Sequence, residues 1–369
     1  MFKLNKVSLE GYKSIRQCRD LTLGNLNVLI GANGAGKSNL ISFFRLLNAA
    51  MRGELRGYVG QQGAAHSLLH NGPKVSGEIK ACLEFEDEAE TNLYAIRLIY
   101  GAPDNLTFAS EMFRTKPKAS SATQASELIA HGASESAVCQ PGLRENERVK
   151  LFARLIGGID TYHFHDTSLL AGVRGRWRVS DHRVLYAYGE NLAAVLRFLR
   201  EAHTDDYGRI LETIRLVTPF FGEFILDPPS ESPDLVMLNW RAKGTDYELG
   251  PHQLSDGTLR FIALATLLLQ PHECLPQMII IDEPELGLHP YAIKILGSLL
   301  QDAASFTQII VATQSAALVD EVRPEDVIVA NLVDGATSFE RLDQERMADW
   351  LKDYSLSQMW ESNLFGGRP

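Results

Sequence analysis

Hydrophobic positions change period several times along the chain, and each change marks an element. Lys3–Leu9 and Leu21–Leu23 alternate with period two, and Leu26–Ile30 is a compact apolar run, so the first thirty residues predict β-strands. A glycine-rich turn follows at once. Asn39–Met51 then carries Leu40, Phe43, Phe44 and Leu47 at helical spacing. Val75–Phe85 and Asn92–Tyr100 read as two further strands, joined as a hairpin around the acidic turn EDEAE.

The middle is less regular. Between residues 115 and 142, 17 of 28 positions are Ser, Ala, Thr, Gly or Pro, a composition that predicts a mobile, loosely packed insertion. Arg144–Ile156 is helical in pattern and Thr161–His165 strand-like. Asn191–His203 and Tyr207–Val217 are amphipathic helices split by HTDD, and Leu235–Trp240 is another strand. The last third alternates plainly: an apolar helix Thr258–Leu269, a buried strand Met278–Ile281, a helix Ala292–Ala303, then buried strands Gln308–Ala312 and Val327–Asn331. Continuous apolar strands alternating with helices predict an α/β fold with a parallel sheet. Aromatic and aliphatic positions Trp350, Leu351, Trp360 and Leu364 predict a packing face on a C-terminal helix within 346–369.

Composition narrows the class. The chain has 369 residues, is 45% hydrophobic and 22% charged, and carries a formal net charge of −10, which excludes disordered and fibrous classes. Its longest strongly apolar stretch, Phe261–Leu269, is about half of the ~20 residues that span a bilayer. The N-terminus has no signal-peptide apolar block. The four cysteines (Cys18, Cys82, Cys139, Cys274) lie far apart without a CxxC pair, which predicts neither a disulfide framework nor a thiolate zinc site. These features predict a cytoplasmic protein without a membrane partner. Charge is uneven: residues 1–60 hold nine basic and three acidic side chains, leaving −16 on the remainder. A basic N-terminal segment on an acidic body suits either an anionic ligand or an ordinary solvated surface.

The glycine-rich turn resolves that choice. Gly31-Ala32-Asn33-Gly34-Ala35-Gly36-Lys37-Ser38 satisfies GxxxxGK[ST] between a predicted strand and a predicted helix. Such a loop turns backbone N–H groups inward around phosphate oxygens, and the helix dipole adds to the attraction. Asn33, Gly34, Ala35, Gly36 and Asn39 would line the phosphates, Lys37 would reach the β- and γ-phosphates, and the Ser38 hydroxyl would ligate Mg²⁺. By residue frequencies the pattern arises by chance in roughly one chain in a hundred of this length. The strand Met278–Ile281 ends in Asp282 and Glu283. At the carboxyl end of a parallel strand, Asp282 suits the Mg²⁺ shell, and Glu283 can polarise a water attacking the γ-phosphate.

Leu254-Ser255-Asp256-Gly257-Thr258 opens the apolar helix, and Ser255 lies 27 residues before Asp282. Taken alone this is an N-cap. Together with the cradle, IIIDEPE and a later strand ending Ala312-Thr313-Gln314-Ser315, it resembles the ABC-type ATPase heads of the RecF/SMC/OLD-like branch. LSDGT stands where that family has its signature motif, Glu285-Leu286-Gly287-Leu288-His289-Pro290 resembles its D-loop, and Gln314 holds the switch position. Gly11-Tyr12-Lys13-Ser14 resembles the turn at which basic and hydroxyl groups (Lys13, Ser14) approach the nucleotide in SMC proteins. The resemblance is carried mostly by the two ends of the chain.

The resemblance implies a P-loop NTPase of ABC-ATPase type: a mixed, largely parallel central sheet, an N-terminal antiparallel β part and a helical signature lobe. The implied lobes are 1–110 with 275–345 for nucleotide, 143–274 for the signature, and a tail at 346–369. It implies ATP and Mg²⁺ as ligands and a head-to-tail homodimer in which Ser255, Asp256 and Gly257 of one copy cap the nucleotide of the other. Glu283 and Gln314 are then the catalytic residues. The implied setting is DNA repair and maintenance or defence against foreign DNA, with DNA and a separate nuclease or effector protein as partners, since 55 residues after Gln314 are too few for a nuclease domain. Two departures stand out. Gln314 replaces the histidine common at the switch, which predicts slow turnover, and Gln61 and Gln62 are weak candidates for the Q-loop. A non-hydrolysing nucleotide sensor and a transporter's ATP-binding subunit are the rival classes.

Other residues carry weaker signals. His163, His165 and Asp166 in YHFHD suit a metal site or a hydrogen-bonded strand face. Arg174, Arg176, Arg178 and Arg183 surround Trp177, which suits either a nucleic-acid grip or a solvated loop.

Overall fold

A computed structural model describes residues 2–118, 127–130, 132–139, 142 and 146–368. The chain divides into two compact units, residues 1–160 with 323–369, and residues 161–322.

In the first unit, a six-stranded antiparallel sheet runs in the order Ile15–Thr22, Lys3–Tyr12, Glu78–Glu86, Glu90–Gly101, Asn105–Pro117, Glu127–Ala130. Period-two alternation sets its faces: Ile79, Ala81, Leu83 and Phe85 are buried, while the residues between them are less so. The hairpin expected around EDEAE is present, with Asp87 Oδ1 accepting from Ala89 N at 2.8 Å and Glu90 N at 2.9 Å. The strand Asn105–Pro117 was not legible from its alternation. A register shift lies in its pairing with Glu90–Gly101, and the buried positions move from Leu106 and Phe108 to Glu111, Phe113 and Thr115. Glu111 is fully buried, and it accepts from Tyr94 Oη, Ser136 Oγ and Ala137 N, each at 2.7 Å. The expected insertion 115–142 therefore begins inside this strand and includes Glu127–Ala130; its residues 119–126, 131, 140 and 141 lie outside the described residues.

A second sheet in this unit places Ala336–Arg341 antiparallel to Val327–Val333, which runs parallel to Leu26–Ile30. All five residues of Leu26–Ile30 are buried. Helix Lys37–Arg52 follows, ending at Gly53. Helix Glu147–Gly157 starts on Asn146, whose side chain accepts from Arg148 N and Val149 N. It buries Phe152, which stacks on Phe113 with ring centroids 4.2 Å apart. At the C-terminal end, the helix Leu356–Glu361 buries Leu356, Met359 and Trp360, whereas Trp350 and Leu364 are about half exposed, so only part of the expected packing face is buried.

In the second unit, Met278–Asp282 and Gln308–Ala312 pair in parallel, Ile280 opposite Ile310. Helices Leu192–Ala202, Thr204–Val217, Asp256–Leu269 and Pro290–Ala303 belong to it. The expected strand Leu235–Trp240 is two: Leu235–Val236 pairs with Trp177–Arg178, and Asn239–Ala242 joins Phe221–Ile225 and Glu248–Leu249. The expected strand Thr161–His165 ends at Tyr162, because the carbonyls of Phe164 and His165 are bound by Arg260 instead of a ladder. No disulfide joins the four cysteines, and no helix among the described residues is long and apolar enough to cross a membrane.

Candidate nucleotide site

The expected cradle, Gly31–Ser38, lies in the first unit. Leu26–Ile30 leads into Gly31, and Gly36 stands at the N-cap of helix Lys37–Arg52 with φ +105°, a conformation that disfavours any side chain. A Cβ there would lie 2.0 Å from Thr337 Oγ1. Asn33, Gly34 and Ser38 are exposed, Ala35 is buried, and the helix opens at Lys37 with Ser38 next, a terminus whose free N–H groups suit an anion. Lys37 is 5% exposed, and its ammonium donates to Gly31 O at 2.5 Å and Ala32 O at 3.1 Å. It is thus held inside the loop, on the carbonyls of its first two residues.

Ser14 and Asn39 meet behind that loop. Asn39 Nδ2 donates to Ser14 Oγ at 2.6 Å, Ser14 Oγ lies 2.6 Å from Thr337 Oγ1, and Thr337 Oγ1 donates to Ala35 O at 2.8 Å. Thr337 N also donates to Ser14 O at 2.8 Å. Thr337 is 2% exposed and was invisible to motif reasoning, since only the hairpin after Val327–Val333 brings it here. Lys13 has φ +46°, donates to Gln62 Oε1 at 3.3 Å, and lies over the Tyr12 ring at 5.6 Å. Burial, and then the neighbouring Arg45, hold its ammonium pKa below the ordinary lysine value. Gln62 is thereby engaged with Lys13.

The second unit holds the carboxylates. Asp282 ends its strand, and its carbonyl accepts from His165 Nε2 at 2.8 Å. Glu283 has φ +44°; its N–H donates to Ala312 O at 2.7 Å, and its Oε1 accepts from the Gln314 amide. Glu285 is folded back so that Oε1 accepts from Thr313 Oγ1 at 2.5 Å and Gln314 N at 3.1 Å. Burial raises the Glu285 carboxyl above the ordinary range against those hydrogen bonds, with Glu283 adding to the rise. One strand end, Thr313–Gln314, therefore orients both acids.

The signature segment lies in the same unit. Ser255 caps helix Asp256–Leu269, its Oγ accepting from Thr258 N at 3.1 Å, and it is exposed together with Asp256. Gly257 packs against the EPELG turn: a Cβ there would lie 2.4 Å from Gly287 O, a backbone atom that cannot swing away. Arg260, one turn into the helix, donates to Leu286 O at 2.9 Å, His165 O at 2.8 Å and Phe164 O at 3.2 Å. The signal for this residue was a lone cation in an otherwise apolar helix. Arg174 is 5% exposed and is no part of a surface grip. It donates to Thr167 O at 2.9 Å, Pro251 O, Leu254 O and Asp256 Oδ1 at 2.8 Å. Arg176, Arg178 and Arg183 remain exposed, while the Trp177 indole is committed to Gly172 O at 2.9 Å.

His163 and His165 do not alternate on a strand; they sit in the turn after Tyr162, with ring centroids 5.8 Å apart. No group of three or more metal-ligating side chains is assembled among the described residues. His289 caps helix Pro290–Ala303, Nδ1 accepting from Tyr291 N at 3.2 Å.

Among curated proteins none matches the chain. Solved SMC head domains share its fold, two among them as follows. The SMC head bound to the C-winged helix domain of ScpA has a TM-score of 0.61 at 16% identity, covering 94% of this chain and 99% of that one. The Smc head domain with an extended coiled coil, bound to the C-terminal domain of ScpA derived from Pyrococcus furiosus, has a TM-score of 0.58 at 15% identity, covering 96% and 99%. The sequence profile described as "AAA domain, putative AbiEii toxin, Type IV TA system" matches residues 26–94 and 141–320, a span that contains the cradle, the signature segment, both carboxylates and Gln314. With more than half of its length matched, the chain belongs to this AAA domain family, and its α/β fold is that of the SMC-head P-loop ATPases.

Proposed function

We propose that the protein is an ATPase that hydrolyses ATP to ADP and phosphate and is gated by its own dimerisation. The observation that carries this reading is the pairing of Glu283 with Gln314: a carboxylate lifted off its strand by a left-handed residue and held by a neutral amide. Such a pair can accept a proton from water on one side and donate a hydrogen bond to phosphate on the other.

In this reading, N–H groups of residues 33–38 and the Lys37 ammonium bind the triphosphate, while Ser14, Asn39 and Thr337 keep the loop in shape. The oxygen donors Ser38 and Asp282 suit a hard cation, and they would hold the Mg²⁺ that neutralises charge on the β- and γ-phosphates. Glu283 orients and deprotonates the attacking water, and Gln314 steadies it. Lobe 143–274 offers Ser255, Asp256 and Gly257 to the nucleotide held on lobe 1–110 with 275–345 of a second copy, whose own lobe 143–274 does the same in return. Two such contacts supply several kcal/mol of difference between open and closed dimers, enough to invert a population. DNA maintenance or defence against foreign DNA, with DNA and an effector protein as partners, is the setting we infer.

The test is phosphate release with ATP-Mg²⁺, with and without duplex DNA, beside Lys37→Ala. Release that is abolished in the variant and stimulated by DNA supports the reading. Tight ATP binding without release favours the second reading, a nucleotide sensor, which the neutral Gln314 also suits.

A further inference from the structure

The chain beyond helix Leu356–Glu361 reaches the cradle at Gly367. Trp360 is fully buried, and its indole Nε1 donates to Gly367 O at 2.5 Å. Gly367 N in turn donates to Asn331 Oδ1 at 2.6 Å. Gly366 and Gly367 both take positive φ, +81° and +68°, and the contact they make leaves no room for a side chain. A Cβ on Gly367 would lie 2.6 Å from Val329 Cγ1 and 3.5 Å from Gly31 Cα. The backbone at 367 therefore lies against the first glycine of the cradle, the residue whose carbonyl receives the Lys37 ammonium at 2.5 Å. Arg368 follows immediately. It is exposed, and among the described residues it has no hydrogen-bond or ion-pair partner.

A buried indole and an asparagine amide thus fix the Gly367 backbone against Gly31, and the exposed Arg368 is the next residue. We propose that Arg368 is a nucleotide-binding residue, its guanidinium pairing with the polyphosphate held on the same chain's cradle. This rests on the reading of the cradle as a nucleoside triphosphate site. A guanidinium keeps its charge at every working pH and offers parallel donors to phosphate oxygens. Anchoring at Gly367 removes most of the backbone freedom that an untethered tail would lose on binding.

The experiment is calorimetric titration of the full chain with ATP-Mg²⁺ and with GTP-Mg²⁺, at low and moderate salt, for wild type, Arg368→Ala, Arg368→Lys and Lys37→Ala. Arg368→Ala is expected to raise Kd roughly five- to tenfold, the size of a partly screened charge-assisted contact. The factor should be the same for ATP and GTP, the salt dependence should become shallower, and Tm should not move. Arg368→Lys should recover part of the loss. Gly367→Ala should match Arg368→Ala, and the double variant should lose no more than either. An Arg368→Ala Kd within twofold of wild type, while Lys37→Ala abolishes binding, overturns the proposal and leaves the cradle reading intact. Unequal factors for the two nucleotides, or additive losses in the double variant, also overturn it. Wild type that binds neither nucleotide refutes the cradle reading instead.

Discussion

Removing the Arg174 side chain should loosen the signature segment more than any surface change nearby. The side chain is 4% exposed, and its guanidinium is shared among the carbonyls of Thr167, Pro251 and Leu254 and the carboxylate of Asp256. Arg174→Ala leaves those carbonyls without their charged donor. Pro251 O keeps its bond from Leu254 N at 3.2 Å, and each carbonyl left buried and unsatisfied costs about 1 kcal/mol or more. The ion pair adds little, because Asp256 is 63% exposed and solvent screens it to roughly 0–1 kcal/mol. Lost packing of the buried stem brings the total to about 3–5 kcal/mol. For a compact unit of this size, about 2–4 °C per kcal/mol gives a fall of roughly 6–20 °C in Tm by differential scanning calorimetry. Arg174→Lys keeps the charge but not the fork, so it should recover less than half. ATP turnover should fall in both variants while ATP binding persists, since the cradle is built by the other unit. An alanine variant that melts within about 1 °C of wild type and turns over normally would show that the Ser255–Gly257 segment stands without this support.

Three further outcomes are expected. Glu283→Gln should bind ATP, release phosphate at least a hundredfold more slowly, and accumulate as a dimer in size-exclusion chromatography with ATP-Mg²⁺; a variant that stays monomeric at saturating nucleotide counts against the ATP-gated dimer. Gly257→Ala should cost about 1–3 kcal/mol by overpacking against Gly287 O and cut turnover more than ATP affinity, as read by thermal melts beside ATP titration. Glu285→Gln should stabilise the protein in a pH-dependent way. Burial raises the Glu285 carboxyl, so the native state takes up its proton more readily than the unfolded chain. Wild-type stability from this group is present below the ordinary glutamate range of about 4.3 and lost as pH rises through the raised value. The gain in Tm from glutamine should therefore be largest near neutrality and shrink toward pH 4; a gain that is flat with pH would refute the cause.

What the sequence disclosed depended on how local each signal was. The strands Leu26–Ile30, Met278–Asp282 and Gln308–Ala312 and the helices after them were legible because continuous apolar runs and period 3.6 are written in consecutive residues. The cradle was legible because its spacing is local too. Asn105–Pro117 was missed because a register shift and a buried Glu111 break its alternation, and Tyr94, Ser136 and Ala137 N, distant in sequence, make that acid tolerable. Thr337 and Arg174 were missed or misread for the same reason. One is brought to the cradle from 302 residues beyond Ala35, and the other turns inward to carbonyls nearly eighty residues away. Arginine-rich composition predicts solvent or an anion; the structure gives Arg174 backbone oxygens.

The stretch from Asp282 to Gly287 shows why the local and distant signals belong together. A positive φ at Glu283 costs of order 1–3 kcal/mol for a residue with a side chain, and nothing in the apolar strand before it demands that cost. Three contacts offset it: Glu283 N to Ala312 O at 2.7 Å, the Gln314 amide to Glu283, and Thr313 with Gln314 N to Glu285. All three come from the end of the neighbouring strand. The turn they fix carries on to Gly287, whose carbonyl abuts Gly257, and to Leu286, whose carbonyl is held by Arg260 of the signature helix. A group that draws Gln314 away from Glu283 removes one of the three offsets, and the remaining strain then falls on the turn that seats the signature helix. Gln314 and the Ser255–Gly257 segment are thereby joined through one strained turn, which in the proposed reading is the mechanical condition for a nucleotide bound at one to be felt at the other.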